Sequence, residues 1–63
     1  MDRQEAYEID RGHGAYSDLD EETGLHCVFG AKSGFCYGTY SDVGEAADAG
    51  VELHEELVRA GLN

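Results

Sequence analysis

The chain contains no proline and no tryptophan, only two cysteines, and only four Lys and Arg against fourteen Asp and Glu. Without proline or any low-complexity stretch, no linker is legible, so residues 1–63 read as a single domain. Two cysteines cannot staple the disulfide-dense scaffold of a small secreted protein. No apolar run approaches the roughly 20 residues that span a bilayer. The N-terminal MDRQEAYEID is acidic and lacks an apolar segment, so it does not read as a signal peptide. A domain this short buries only about 60% of its unfolded surface and has a marginal core, with no room for a lidded substrate cleft. The expectation is a soluble, cytoplasmic domain with reduced thiols.

The formal charge is −10, beyond the magnitude of about 2–8 that keeps a small domain soluble. Such an excess destabilises the compact state through self-repulsion. It argues against direct binding to nucleic acid or to an anionic membrane, and it attracts a cationic partner. Adaptation to a salty cytoplasm is a second account of the same composition. A disordered acidic tail is not, because the acids are interleaved with aromatic and β-branched residues and no acidic run exceeds Asp20-Glu21-Glu22.

The C-terminal half reads as one helix over 43–60. Asp42 and Glu45 have capping-box spacing, Ser41 is an alternative cap, and Gly61 is the terminator. At about 100° per residue, Val43, Ala46, Ala47, Gly50, Val51, Leu53, His54, Leu57 and Val58 share one broad apolar face. Glu45, Asp48, Glu52, Glu55, Glu56 and Arg59 fill the remaining arc.

Upstream the period changes from helix to strand. Ala15–Leu19, Leu25–Gly30 and Phe35–Tyr40 are rich in β-branched, aromatic and thiol side chains, and Gly24 and Gly34 suit the turns between them. EAYEID alternates Tyr7 and Ile9 with Glu8 and Asp10, which predicts a short fourth strand at an edge. The fold class is therefore α+β: an antiparallel meander of three to four strands, within about residues 5–41, with the C-terminal helix packed on one face. Two sheet registers compete. One buries Leu25, Cys27, Phe29 and Tyr37; a one-residue slip exchanges them for Val28, Cys36 and Tyr40.

Little here carries chemistry. Cys27 and Cys36 lie on adjacent strands but not directly opposite, so they read as two small buried apolar residues rather than a disulfide. His13, His26 and His54 show no zinc-ligand spacing, and no metal or cofactor is expected. His54, central on the apolar face, reads as a neutral core histidine. There is no nucleophile elbow, phosphate loop or dinucleotide fingerprint. Asp20 and Glu22 form a carboxylate pair, but nothing apolar surrounds them to raise a pKa. An enzyme is not expected.

What remains is the acidic surface. Along the helix, Glu45, Asp48, Glu52 and Glu55 advance by three, four and three residues, placing a carboxylate about every 5 Å of axis. DNA presents a phosphate about every 3.4 Å on each strand. Asp18, Asp20, Glu21 and Glu22 form a second cluster at a hairpin tip. These two sets, with Glu56, are the candidate partner-binding residues.

A small, proline-free, acidic α+β chain with DLDEETG at a hairpin and EAADAGVELHEEL on its helix resembles the phage-encoded anti-CRISPR proteins, and specifically inhibitors of the type I-C system. That resemblance implies a non-enzymatic monomer that imitates DNA and blocks the DNA path of the surveillance complex Cascade. The family has no shared motif through which individual residues can be carried over. The layout of GAYSDLDEETGLHCVFG followed by FCYGTYSDVGEAADAG is also similar to plant ethylene-response DNA-binding domains. Those carry Arg on the DNA-reading sheet face, where this chain has acidic or apolar residues. The alternative expectation is a salt-adapted domain that binds another protein or pairs with itself through Phe35, Tyr37 and Tyr40.

Overall fold

The computed structural model describes residues 1–62. Its elements are α1 (Arg3–Asp10), β1 (Ala15–Asp20), β2 (Leu25–Gly30), β3 (Cys36–Tyr40) and α2 (Val43–Ala60). The strands form one antiparallel sheet in the order β1-β2-β3, with α2 packed on it as expected. Among the described residues no helix is long and apolar enough to cross a membrane.

The N-terminal segment corrects the reading of a fourth strand. EAYEID lies within helix α1. Asp2 caps it by accepting from the Glu5 N–H at 2.8 Å, the side-chain-to-N3 bond that starts a helix. Ala6 and Asp10 are buried and Tyr7 is half-buried, whereas Ile9 is exposed. Positions 6, 7 and 10 share a helical face, so the apparent two-residue alternation was coincidental. A helix of eight residues is too short to persist alone, since isolated helices below about 12–15 residues are marginal in water. Tertiary contacts therefore hold it.

The sheet's facing is set by a bulge. Val28 pairs with Gly38 and Phe29 with Cys36, leaving Tyr37 as the extra residue of β3. A bulge sets two residues opposite one and shifts the alternation beyond it. Val28 and Tyr40 face the helices, as in one of the two expected registers. The bulge then exchanges the remaining members of the two sets. Tyr37 joins the helix side and packs against the core, while Cys36 is exposed. Cys27, on the other face, is buried. The expectation of two buried thiols thus holds for Cys27 only, and both cysteines are free.

Helix α2 begins where its cap predicts, with the Asp42 carboxylate accepting from the Glu45 N–H at 3.0 Å. It ends at Gly61, whose N–H reaches the Leu57 and Val58 carbonyls. Val28, Leu53 and Leu57 form the core, flanked by Tyr7, Ala15, Tyr37, Tyr40 and Ala49. Only part of the expected apolar face is covered. Ala46, Gly50, Leu53 and Leu57 are buried, but Val43, Ala47, Val51 and His54 are exposed. Gly50 of α2 lies over Ser17 and His54 bonds to Ala15, so the helix crosses the β1 edge. A sheet of three strands ends there, and the far flank of α2 overhangs it.

Candidate functional site

The predicted acidic residues occupy two connected regions. Glu45, Asp48, Glu52, Glu55 and Glu56 are all exposed on α2. Asp18, Glu21 and Glu22 are exposed and Asp20 is half-buried, at the end of β1 and in the turn after it. Two of the tip carboxylates also have local structural work. Asp18 accepts from the Leu19 N–H at 2.8 Å and Asp20 from the Glu22 N–H at 3.1 Å, which fixes the tip's shape. Leu19 pairs with His26, and His26 pairs with Tyr40. The tip therefore lies at the same end of the molecule as the start of α2, and Glu45 continues its charge onto the helix.

The cations gather at the other end. Arg11 Nε donates to the Ala60 carbonyl at 3.3 Å, Lys32 sits in the β2–β3 turn beside Asp10, and Arg59 is in the last turn of α2. Arg3 lies midway, stacked over the Tyr37 ring at 5.1 Å and donating to the Tyr37 carbonyl at 3.2 Å. Among the described residues the single ion pair is Arg11–Glu8, at 3.7 Å and exposed, an i,i+3 pair of small energetic consequence. None of the candidate carboxylates takes part in it. Arg3 and Arg59 share a groove with Glu52, Glu55 and Glu56 without pairing with them among the described residues, and the tip carboxylates lie at the end away from Arg11 and Lys32.

Glu52, Glu55 and Glu56, with Arg3 and Arg59, line a groove of about 730 Å³ between α1, β3 and α2, whose apolar surface includes Tyr37, Tyr40, Val28 and Leu53. The groove exists because α2 covers β1 and β2 and leaves the helix side of β3 open. Tyr37 and Tyr40 therefore face the helices, not the open side of the sheet. Of the trio expected for self-pairing, Phe35 packs edge-to-face on Tyr37 with ring centroids 5.1 Å apart, and Tyr37 and Tyr40 lie on the helix side of the sheet.

The thiols and histidines sit in different surroundings. Burial pushes the Cys27 thiol up, and neighbouring Cys36 and Asp20 push it further, the opposite of an activated nucleophile. His54 is exposed rather than buried in the core. Its Nδ1 lies 3.1 Å from the Ala15 nitrogen and 3.2 Å from the Ala15 carbonyl oxygen, within hydrogen-bond reach of both. Among the described residues, no three His, Cys, Asp or Glu side chains converge to hold a metal ion.

Spacing in the sequence did not reveal Asp10. It is fully buried at 0% exposure, and its carboxylate accepts four hydrogen bonds: from the Lys32 N–H (3.0 Å), the Ser33 N–H (2.7 Å), the Ser33 hydroxyl (2.6 Å) and the Tyr37 hydroxyl (2.7 Å). Burial pushes the carboxyl up, but the bonds from Ser33, Tyr37 and Lys32 together outweigh it and hold it below the usual range. Burial, then the Asp10 carboxylate, push the Tyr37 phenol up, so it stays a donor. Gly30 is required beside this node, because a Cβ there would collide with the Asp10 carboxylate. Because EAYEID reads as a strand, the mismatch of an Asp at a helix C-terminus, where the dipole disfavours an anion, became visible only with α1 in place.

Comparison with protein-family models, with curated proteins and with solved structures finds no match to this chain.

Proposed function

We propose that this protein is a non-enzymatic anti-CRISPR inhibitor that acts in the host cytoplasm as a DNA mimic. It binds a Lys- and Arg-lined channel of a type I Cascade complex and excludes target DNA. The large subunit, which reads the short motif beside the target, supplies the contact. The observation that supports this reading is the exposed carboxylates of α2 together with those of the β1–β2 tip at the end where α2 begins, none of them ion-paired among the described residues. Glu45 to Glu56 spans about 16 Å of helix axis, the length of about five phosphates on one DNA strand. The pole of cations at the far end orients the molecule, so the acidic end leads into the channel. Glu45, Asp48, Glu52, Glu55 and Glu56 make the row, with Asp18, Asp20, Glu21 and Glu22 at its leading end. A monomer suffices, with no cofactor.

The test is a band-shift of target DNA on purified type I-C Cascade. Wild-type protein abolishes the shifted band, and its potency falls as ionic strength rises, because exposed charges are screened over about 8 Å at physiological salt. The double variant Glu52→Lys, Glu55→Lys keeps its helical circular dichroism and loses inhibition. A folded double variant that inhibits as well as wild type removes the helix row from the contact. A chain that unfolds in dilute buffer and refolds near molar salt points instead to salt adaptation as the origin of its charge.

A further inference from the structure

The free edge of β1 lies under the uncovered flank of α2, and the ladder fixes which backbone groups face it. The Ala31 N–H donates to the Gly14 carbonyl at 3.0 Å, and pairing runs on from Ala15↔Gly30 to Asp20↔Leu25. Hydrogen-bonded pairs alternate along an antiparallel ladder. Tyr16, Asp18 and Asp20 therefore turn their N–H and C=O groups toward β2, while Ala15, Ser17 and Leu19 turn theirs outward. Two side-chain contacts agree. His54 Nδ1 sits against both outward groups of Ala15, 3.1 Å from its nitrogen and 3.2 Å from its carbonyl oxygen, and the Leu19 N–H is taken by the Asp18 carboxylate at 2.8 Å. These cap the two ends of the edge and leave the Ser17 N–H between them facing outward.

Above this window Ser17, Ala47, Gly50, Val51, His54 and Glu55 help line a groove of about 400 Å³. Val43 at 63% exposure, Val51 at 58% and Leu19 at 47% continue the apolar strip along it. An added strand lies about 4.8 Å from β1, under this flank. Its alternate side chains would point up to Ala47 and Val51. The others would point to the open sheet face beside Tyr16 and Asp18.

We propose that an extended segment of a partner protein, alternating apolar and basic side chains, adds to β1 as a fourth strand. Charge selects the occupant. A second copy brings another net charge of −10 and offers Asp18 no cation, whereas a basic residue opposite Asp18 pairs with it and covers the Tyr16 ring. Main-chain bonds hold the strand, and the α2 flank reads its apolar side chains, as in strand addition generally. This docking rests on the backbone edge and the α2 flank and shares only Asp18 with the acidic row, so it stands whether or not the protein blocks a DNA channel.

The test uses the full chain, labelled with nitrogen-15, and an end-capped Lys-Val-Lys-Val-Lys-Val-Lys peptide, with a Glu-for-Lys twin as control. The Lys/Val peptide slows hydrogen exchange at the Ser17 amide and shifts the Ala47 and Val51 resonances; the Glu/Val twin does neither. Ser17→Pro removes the outward donor without touching the β2 ladder and weakens binding about tenfold or more, the effect of losing about 1.4 kcal/mol. Val51→Lys, at an exposed site, weakens it similarly and serves if the proline variant fails to fold. The proposal is overturned by an absence of binding at millimolar peptide, by binding that spares Ser17 and perturbs Glu52 and Glu56 instead, or by full affinity in a folded variant. A dimer that protects Ser17 without peptide would assign the edge to a second copy and overturn it too.

Discussion

Replacing Asp10 by Asn tests what holds the smaller helix in place. Asparagine keeps the shape and the oxygen that accepts from the Lys32 and Ser33 N–H groups, but its amide nitrogen meets the Ser33 and Tyr37 hydroxyls where a carboxylate oxygen stood. Those hydroxyls must rotate to accept, and the charge assistance is lost at all four bonds. Hydrogen bonds to charged groups contribute about 1.5–3 kcal/mol and neutral ones about 0.5–1.5. Four independent losses of about 1 kcal/mol are an upper limit, because the partners are only part-buried and solvent screens them. We expect about 2 kcal/mol, against a total stability of about 3–9 kcal/mol for a chain this short. Urea unfolding followed by far-ultraviolet circular dichroism measures the gap. Since the folded pKa of Asp10 is lowered, its contribution is complete at neutral pH and fades as pH falls through that lowered value. The gap between wild type and Asp10→Asn must therefore shrink between pH 7 and pH 3. A gap below about 0.5 kcal/mol at pH 7, or one that does not change on acidification, would refute the node as the anchor of α1.

Other outcomes follow from single contacts. Gly50→Ala should stabilise the domain by about 0.5–1 kcal/mol and raise its melting temperature, because a Cβ there meets Ser17 Cβ at 3.6 Å, an ordinary contact. A lower melting temperature would mean that the α2–β1 approach tolerates no added atom. Thiol titration with a chromogenic disulfide should count one reactive cysteine in the native protein, the exposed Cys36, and two in denaturant, since Cys27 is buried. Charge reversal at Glu52 and Glu55 should abolish inhibition while leaving the unfolding midpoint within about 1 kcal/mol of wild type, as exposed positions allow.

Polarity links the fold to the proposed activity. A meander returns the chain to the tip end just before α2 starts, so one end collects the tip carboxylates, Asp42 and Glu45. The other end collects the C-terminus of α1, the β2–β3 turn and the C-terminus of α2, with Arg11, Lys32 and Arg59. Cations near a helix C-terminus and acids near its start also suit the α2 dipole. Glu55 and Glu56, near the C-terminus of α2, oppose that dipole, with Arg59 in the last turn beside them.

Local signals determined much of this protein from the sequence alone. The Asp42 cap, the apolar repeat and Gly61 set α2, and the glycine-punctuated β-rich runs set β1, β2 and β3 to within a residue at their ends. The acidic surface was legible for the same reason: helix and strand periods depend on neighbours a few residues apart, and exposed charge follows from them. Tertiary structure decided the rest. Helix α1 forms because Asp10 finds Ser33 and Tyr37 more than twenty positions away. The facing of the sheet turns on one bulge that exchanges Tyr37 and Cys36. Half of the apolar face of α2 stays open because the sheet beneath it stops at β1. Each of these depends on pairings between residues distant in the chain, and no window of local periodicity contains both partners.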